Sequence, residues 1–291
     1  MSNFAQRVSA KLRTEGATGA FKAAGRAVHS KLFSTDWDME LVPSILESSL
    51  RKKQRVSIIQ IGANVGNTPS DPLYPFLARN FRADPKPGVT CCAVLVEPVK
   101  HLYRDLIKNY AGVKGAFCEN VAIAATREPK KFYRLREGVD WARYGLDPWA
   151  EQLGSFLPEN LEGLWTKAAD PDAARRLVME NTVVDEVTCM TFDDLLVKYQ
   201  LQDLDLLQLD TEGYDYEILK TIDFNRVRPH YINYERIHLK RHEGSCRELL
   251  MRAGYHLHDH GQDTLCTLQA PDKQSANLRA HLYNRWLDLI H

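Results

Sequence analysis

The chain is punctuated by short, mostly apolar runs that end in a glycine or a polar residue and lead into a helical pattern. Residues 56–61, 91–96, 204–209 and 231–234 are such runs, and another strand leads into Asn120. Runs this short, apolar on both faces, suit strands buried on both sides. A parallel sheet sandwiched between helices is the arrangement that buries both. Between them, residues 71–79, a stretch through Leu102, Leu106 and Asn109, and residues 214–222 carry helical spacing. This alternation predicts a doubly wound, mostly parallel α/β sheet. Residues 255–258 and 264–268 flank Gly261 and are expected to close the sheet as a β-hairpin. With 44% hydrophobic residues in a chain of 291, there is enough apolar material for one full core.

On either side of that core, taken as residues 56–270, the pattern changes. Residues 1–55 are expected to form a helical N-terminal extension. There Phe4, Val8 and Leu12, and then Phe21, Ala24, Val28 and Leu32, recur at helical spacing. Up to Thr35 this segment holds six basic residues and the single acid Glu15. Such a stripe packs on the body as a cap, or lies on an anionic membrane surface. Residues 271–291, with Leu278, Leu282, Trp286 and Leu289, read as an amphipathic terminal helix. Residues 137–182 read as an irregular insertion rich in aromatics: Trp141, Tyr144, Trp149, Phe156 and Trp165. Those rings either wall a ligand pocket or hold the insertion together as a small satellite core.

Charge narrows the range of partners. Lys+Arg and Asp+Glu both number 38, so a balanced chain exerts no general pull on nucleic acid. The six cysteines form no C-x-x-C pair and mostly sit in apolar runs, which fits a reduced, cytoplasmic setting. No apolar run reaches the roughly 18 residues of a membrane span, and Met1 is not followed by a signal-peptide core.

The chemistry concentrates where strands end. Residues 59–67 run Ile-Gln-Ile-Gly-Ala-Asn-Val-Gly-Asn, a strand opening into a turn with Gly62 and Gly66 four apart. Glycine there lets backbone approach a ligand closely, at the strand end where open α/β sheets bind ligands. The spacing is neither the dinucleotide G-x-G-x-x-G nor a P-loop. Glu97 ends the next run in Val-Glu-Pro and is placed to accept both hydroxyls of a ribose. Asn120, Val121, Ala122 and Ile123 follow the third strand, suited to framing an adenine ring. Asp210 and Glu212, in Leu-Asp-Thr-Glu-Gly, leave the run at 204–209, and Glu235 ends the run after it, with His238 three residues on.

These spaced motifs resemble the FkbM-like family of S-adenosylmethionine-dependent methyltransferases. The resemblance covers residues 56–268 and extends to Leu153-Gly154-Ser155-Phe156, Thr191-Phe192-Asp193-Asp194-Leu195 and Arg228-Pro229. It implies a class I methyltransferase, Rossmann-like fold and O-methylation of a sugar, glycan or small natural product. It also implies cofactor contacts at Gly62, Asn64, Gly66, Glu97, Asn120 and Ala122. Gln60 departs from the aspartate usual in relatives; it can still orient the turn, but offers the methionine amino group no charge.

Methyl transfer to an alcohol needs something to remove the proton. Asp210, Glu212, Glu235 and His238 are the candidates, with His238 expected as the base. Asp210 and Glu235 are also placed to hold a Mg²⁺ ion, which favours oxygen ligands. His256, His258 and His260 alternate and so share a strand face, but read as ordinary polar positions rather than a metal site. His238 and His242 lack the glutamate of H-E-x-x-H. A nucleotide-dependent oxidoreductase and a non-catalytic binding protein on the same fold are the other readings.

Overall fold

The protein is described here from a computed structural model, which covers residues 35–268 except 83–84, 165–167 and 169. The helices expected before residue 35 and after residue 270 lie outside the described residues.

The described chain opens with α1 (Thr35–Lys53), β1 (Arg55–Ile61), α2 (Leu73–Phe81), β2 (Thr90–Val96), α3 (Lys100–Asn109) and β3 (Ala116–Glu119). A peripheral segment follows: β4 (Ala122–Ile123), β5 (Lys130–Leu135), β6 (Gly154–Ser155), α4 (Pro171–Glu180), β7 (Thr182–Val187) and β8 (Cys189–Met190). The core then resumes with α5 (Phe192–Lys198), β9 (Leu206–Leu209), α6 (Asp215–Leu219) and β10 (Tyr231–Glu235). It ends with α7 (Glu243–Arg252), β11 (His256–His260) and β12 (Asp263–Thr267).

The central sheet runs β11-β12-β10-β9-β1-β2-β3. Its strands from β10 to β3 pair in parallel, and the expected hairpin β11–β12 closes one edge antiparallel to β10. This is the doubly wound, mostly parallel sheet that the apolar runs predict. Side chains alternate across it. Ile59, Val94, Leu207 and Ile232 pack on one face with Phe192 and Leu195 of α5. Ile58, Leu95 and Leu206 pack on the other with Leu73 and Phe76 of α2 and with Val42, Leu46 and Leu50 of α1. The latter three recur every fourth residue, so α1 buries one stripe against the sheet. Residues 42–50 therefore belong to the body.

Register places the site. Ile61 pairs with Val96 and with Leu209, and Leu209 pairs with Tyr234. The next residue of each strand, Gly62, Glu97, Asp210 and Glu235, therefore stands at one level along the carboxyl edge of the sheet. That edge is where open parallel sheets bind ligands.

The insertion is more ordered than its sequence indicates. β6 inside it joins β5 and β7, which flank it, in a separate antiparallel sheet in the order β6-β5-β7. Its strands are half exposed, so their apolar residues do not form a run. α4 lies inside the stretch read as irregular; the Asp170 side chain accepts from the backbone N–H of Ala173, and Pro171 occupies the first turn. Trp141, Leu146, Leu161 and Val178 pack beneath this sheet as a satellite core. Where the chain enters β1, Lys53 pairs with Asp205 at 2.8 Å and Arg55 with Asp203 at 2.7 Å.

Candidate active site

Gly62 opens the turn after β1 with φ +85°, in the left-handed region glycine tolerates best. A Cβ there would fall 1.7 Å from the carbonyl oxygen of Asp210, so β1 and β9 approach too closely for any side chain. Asn64 also holds a left-handed conformation, with φ 51°. Its side-chain oxygen accepts from the Val65 N–H at 2.7 Å, and its own N–H donates to Glu97 Oε2 at 2.9 Å. Val99 N–H donates to the other carboxylate oxygen of Glu97 at 2.8 Å. Two turns are thereby tied to one carboxylate, which is 4% exposed. Burial pushes Glu97 up to about 7, and the two backbone donors pull the other way. Each oxygen retains a lone pair for a further donor.

A cavity adjoins these turns, at the sheet edge where open parallel sheets take nucleoside-bearing cofactors. Gly62, Asn64, Glu97 and Ala122 line it, as do Asp210 and Glu212 at the other end. Val121, Ile123 and Val99 give it an apolar wall, and Phe132, Phe156 and Tyr214 an aromatic one. Phe156 lies between the other two rings, with centroids 5.3 Å from Phe132 and 4.7 Å from Tyr214.

The remaining residues expected at the cofactor stand behind the lining. Asn120 donates to the backbone carbonyls of Glu97 and Pro98, at 2.9 and 3.0 Å, and so fixes the turn that carries Glu97. Gly66 packs toward Leu106 and Tyr110 of the α3 region. Gln60 is buried and donates to Asp71 Oδ2 at 3.2 Å. Asp71 in turn accepts the N–H groups of Leu73 and Tyr74, capping α2. Burial drives Asp71 up to about 6. The buried amide of Gln60 is thus paired with a carboxyl eleven residues on, a partner that spacing alone does not reveal.

At the other end Asp210, ringed by protein, presents an exposed side chain to the cavity. Its carboxyl is raised above the usual range, first by the protein that crowds it and thins its hydration, then by the charges of Glu235, Glu212, Asp215 and Asp263. Glu212 sits at φ 52° and Gly213 at φ +88°. This left-handed pair is pinned from the insertion, because Ser155 Oγ and the Asn160 side-chain amide both donate to the Glu212 carbonyl. A Cβ on Gly213 would lie 2.6 Å from that amide. Asn160 has no sequence signal of its own; only the folded insertion brings it here.

His238 Nδ1 stands 2.8 Å from Glu212 Oε2 and 2.9 Å from Glu235 Oε2. These two carboxylates push the imidazole up to about 10, Glu212 contributing most, against the opposing effect of burial. Glu212 is itself raised, because burial and the charge of Glu235 outweigh the pull of His238. Neither Glu235 nor His238 lines the cavity. Glu212 and Glu235 thus both make their ion pairs with His238. Asp215, not singled out from the sequence, is fully buried; burial above all pushes it up to about 7, and its Oδ2 accepts from Thr211 Oγ1 at 2.9 Å.

Of the insertion aromatics, Phe156 meets the cavity, Trp141 is 1% exposed in the satellite core, and Trp149 is 49% exposed. His260 Nε2 is paired with Asn233 Oδ1 at 2.8 Å. Among the described residues, the one trio of potential metal ligands that converges is Glu212, Glu235 and His238. It leaves out both the alternating histidines and Asp210.

Comparison with known proteins matches this arrangement to a family. No curated protein sequence matches the chain. Among solved structures, the Methanococcus jannaschii fibrillarin pre-rRNA processing protein matches at 11% identity and a TM-score of 0.34. That match covers 74% of this chain and 66% of the other, just under two thirds of its length. The family model described as the methyltransferase FkbM domain matches residues 60–260, from Gln60 at the end of β1 to His260 at the end of β11. The chain belongs to the FkbM methyltransferase family.

Proposed function

We propose that the protein is an S-adenosylmethionine-dependent methyltransferase that acts on a hydroxyl oxygen of a sugar, glycan or small natural product. One observation carries this reading: a single cavity joins the Gly62–Glu97 turns to the carboxylates of Asp210 and Glu212. Glu97 would accept the ribose hydroxyls, and the backbone from Gly62 to Asn64 would face the amino-acid end. Val121, Ala122 and Ile123 would frame the adenine. When bound, the cofactor supplies the electrophilic methyl group, and the chain's task is to place the acceptor in line and take its proton.

The base role passes from His238 to Asp210. Held between two carboxylates, the imidazole keeps its proton at neutral pH, and its ring does not line the cavity. Asp210 is the carboxylate that opens onto the cavity beside Gly62. An acidic cluster also favours oxygen over nitrogen acceptors. Nearby carboxylates stabilise an ammonium and so remove the lone pair that an amine would need. The balanced charge of the chain, 38 basic and 38 acidic residues, favours a small or neutral acceptor over nucleic acid.

Calorimetry with S-adenosylhomocysteine tests the cofactor half, with one site per chain expected. Transfer of labelled methyl groups onto a panel of glycosides and hydroxylated small molecules tests the acceptor half. A folded protein that binds no S-adenosylhomocysteine would remove the proposal. Methylation confined to amines would remove its oxygen assignment.

A further inference from the structure

Behind the wall that Glu212 forms, three ligand atoms from two loops converge. One imidazole nitrogen has a single proton to give, yet His238 Nδ1 has carboxylate oxygens at both 2.8 and 2.9 Å. Nδ1 of His238 and Oε2 of Glu235 are buried and meet no hydrogen-bond geometry despite those separations. The same separations match the edge between adjacent ligands of a six-coordinate metal, about 3 Å for bonds of roughly 2.0–2.2 Å. A second observation lies beside the trio. Asp215 is 0% exposed, and its Oδ1 has no hydrogen-bond partner. It lies near enough to Glu235 to feel its charge. A carboxyl buried in this way, next to others, is neutralised either by its own proton or by a cation nearby.

We propose that Glu212, Glu235 and His238 bind one divalent transition-metal ion of the Mn²⁺ or Zn²⁺ type, clamping the loop after β9 to the loop after β10. The imidazole nitrogen selects these metals over Mg²⁺, which prefers an all-oxygen shell. The site differs from the pair Asp210 and Glu235 that the sequence points to. Asp210 stays outside the trio, free to face the cavity. Binding of the ion is independent of the methyl-transfer reading. Only its use, polarising an acceptor hydroxyl next to Glu212, rests on that reading.

The test uses the full chain, stripped with chelator and desalted. Titration calorimetry with MnCl₂, ZnCl₂ and MgCl₂ should show one Mn²⁺ or Zn²⁺ per chain and Mg²⁺ weaker by at least about tenfold. Pulsed EPR of the Mn²⁺-loaded protein should show coupling to one imidazole nitrogen. Glu235→Gln and His238→Ala should each weaken Mn²⁺ by about tenfold or more, and His238→Ala should abolish the nitrogen coupling. S-adenosylhomocysteine binding, retained in both variants, shows that they are folded. No saturable Mn²⁺ or Zn²⁺ binding by a wild type that binds S-adenosylhomocysteine overturns the metal site and leaves the methyltransferase reading intact. Mn²⁺ binding indifferent to both substitutions overturns it too. Metal binding without cofactor binding supports the site and counts against the methyltransferase reading.

Discussion

At the scale of single residues, Glu97 is the most consequential side chain. Its carboxyl is shifted up to about 7 by burial, and hydroxyl groups donate best to its ionised form. Affinity for S-adenosylhomocysteine should therefore rise about tenfold between pH 6 and pH 8 as Glu97 ionises. Glu97→Gln should bind more than about tenfold more weakly at pH 8 and should lose most of that slope. Calorimetry at both pH values checks this, and an unchanged slope in the variant would assign the titration elsewhere. Asp210→Asn keeps shape and removes the proton acceptor, so turnover should fall by ~10²-fold or more while cofactor affinity stays within about threefold. Full turnover in that variant would displace Asp210 from the chemistry. Gly62→Ala drives a methyl group into the Asp210 carbonyl at 1.7 Å and also forbids the backbone φ of +85°. A loss on the order of 3 kcal/mol is expected in urea unfolding.

At the scale of elements, the insertion divides its aromatics between two jobs. Trp141 is a satellite-core residue, so Trp141→Ala should cost about 3–5 kcal/mol or melt the insertion separately. Trp149 stands at the surface, and Trp149→Ala should change stability by no more than about 0.5 kcal/mol. Phe156, between Phe132 and Tyr214 on the cavity wall, is the aromatic whose truncation should alter ligand affinity. Differential scanning calorimetry with ligand titration on the three variants separates these roles; a Trp149 variant with altered cofactor binding would contradict the assignment. The aromatics were visible in the sequence, but their division was not, because it depends on whether the folded insertion sets each ring in the satellite core, at the cavity or at the surface. Those strands were hidden for a related reason: half-exposed antiparallel strands such as Lys130–Leu135 produce no apolar run. α4 carried a helix-start signal in Asp170-Pro171, which the irregular reading of this stretch passed over.

At the scale of the whole molecule, buried carboxylates shape stability as well as binding. Asp71 is raised to about 6 from 3.8 by burial. Between these values the folded state holds a proton that the unfolded chain has released, so stability falls as pH rises through the window. Glu97 acts in the same direction from 4.5 to about 7. The cofactor-free protein should therefore resist urea better at pH 5 than at pH 7.5 as far as these groups govern it. Asp71→Asn should narrow the difference by about 1.4 kcal/mol; an unaltered difference would show that Asp71 is already ionised in the fold. The sequence by itself determined the strands of the central sheet, their mostly parallel pairing and the residues at their ends. Apolar runs, glycines and strand-end acids are local signals, and a strand buried on both faces has few ways to be written. Tertiary structure alone decided that register sets Gly62, Glu97, Asp210 and Glu235 at one level, and that Asp71 stands behind Gln60. It also decided that Asn160 reaches across to hold Glu212, and that His238 falls between Glu212 and Glu235. These pairings join residues that are distant in the chain, and their distances depend on how loops settle on a finished sheet. No local spacing encodes that.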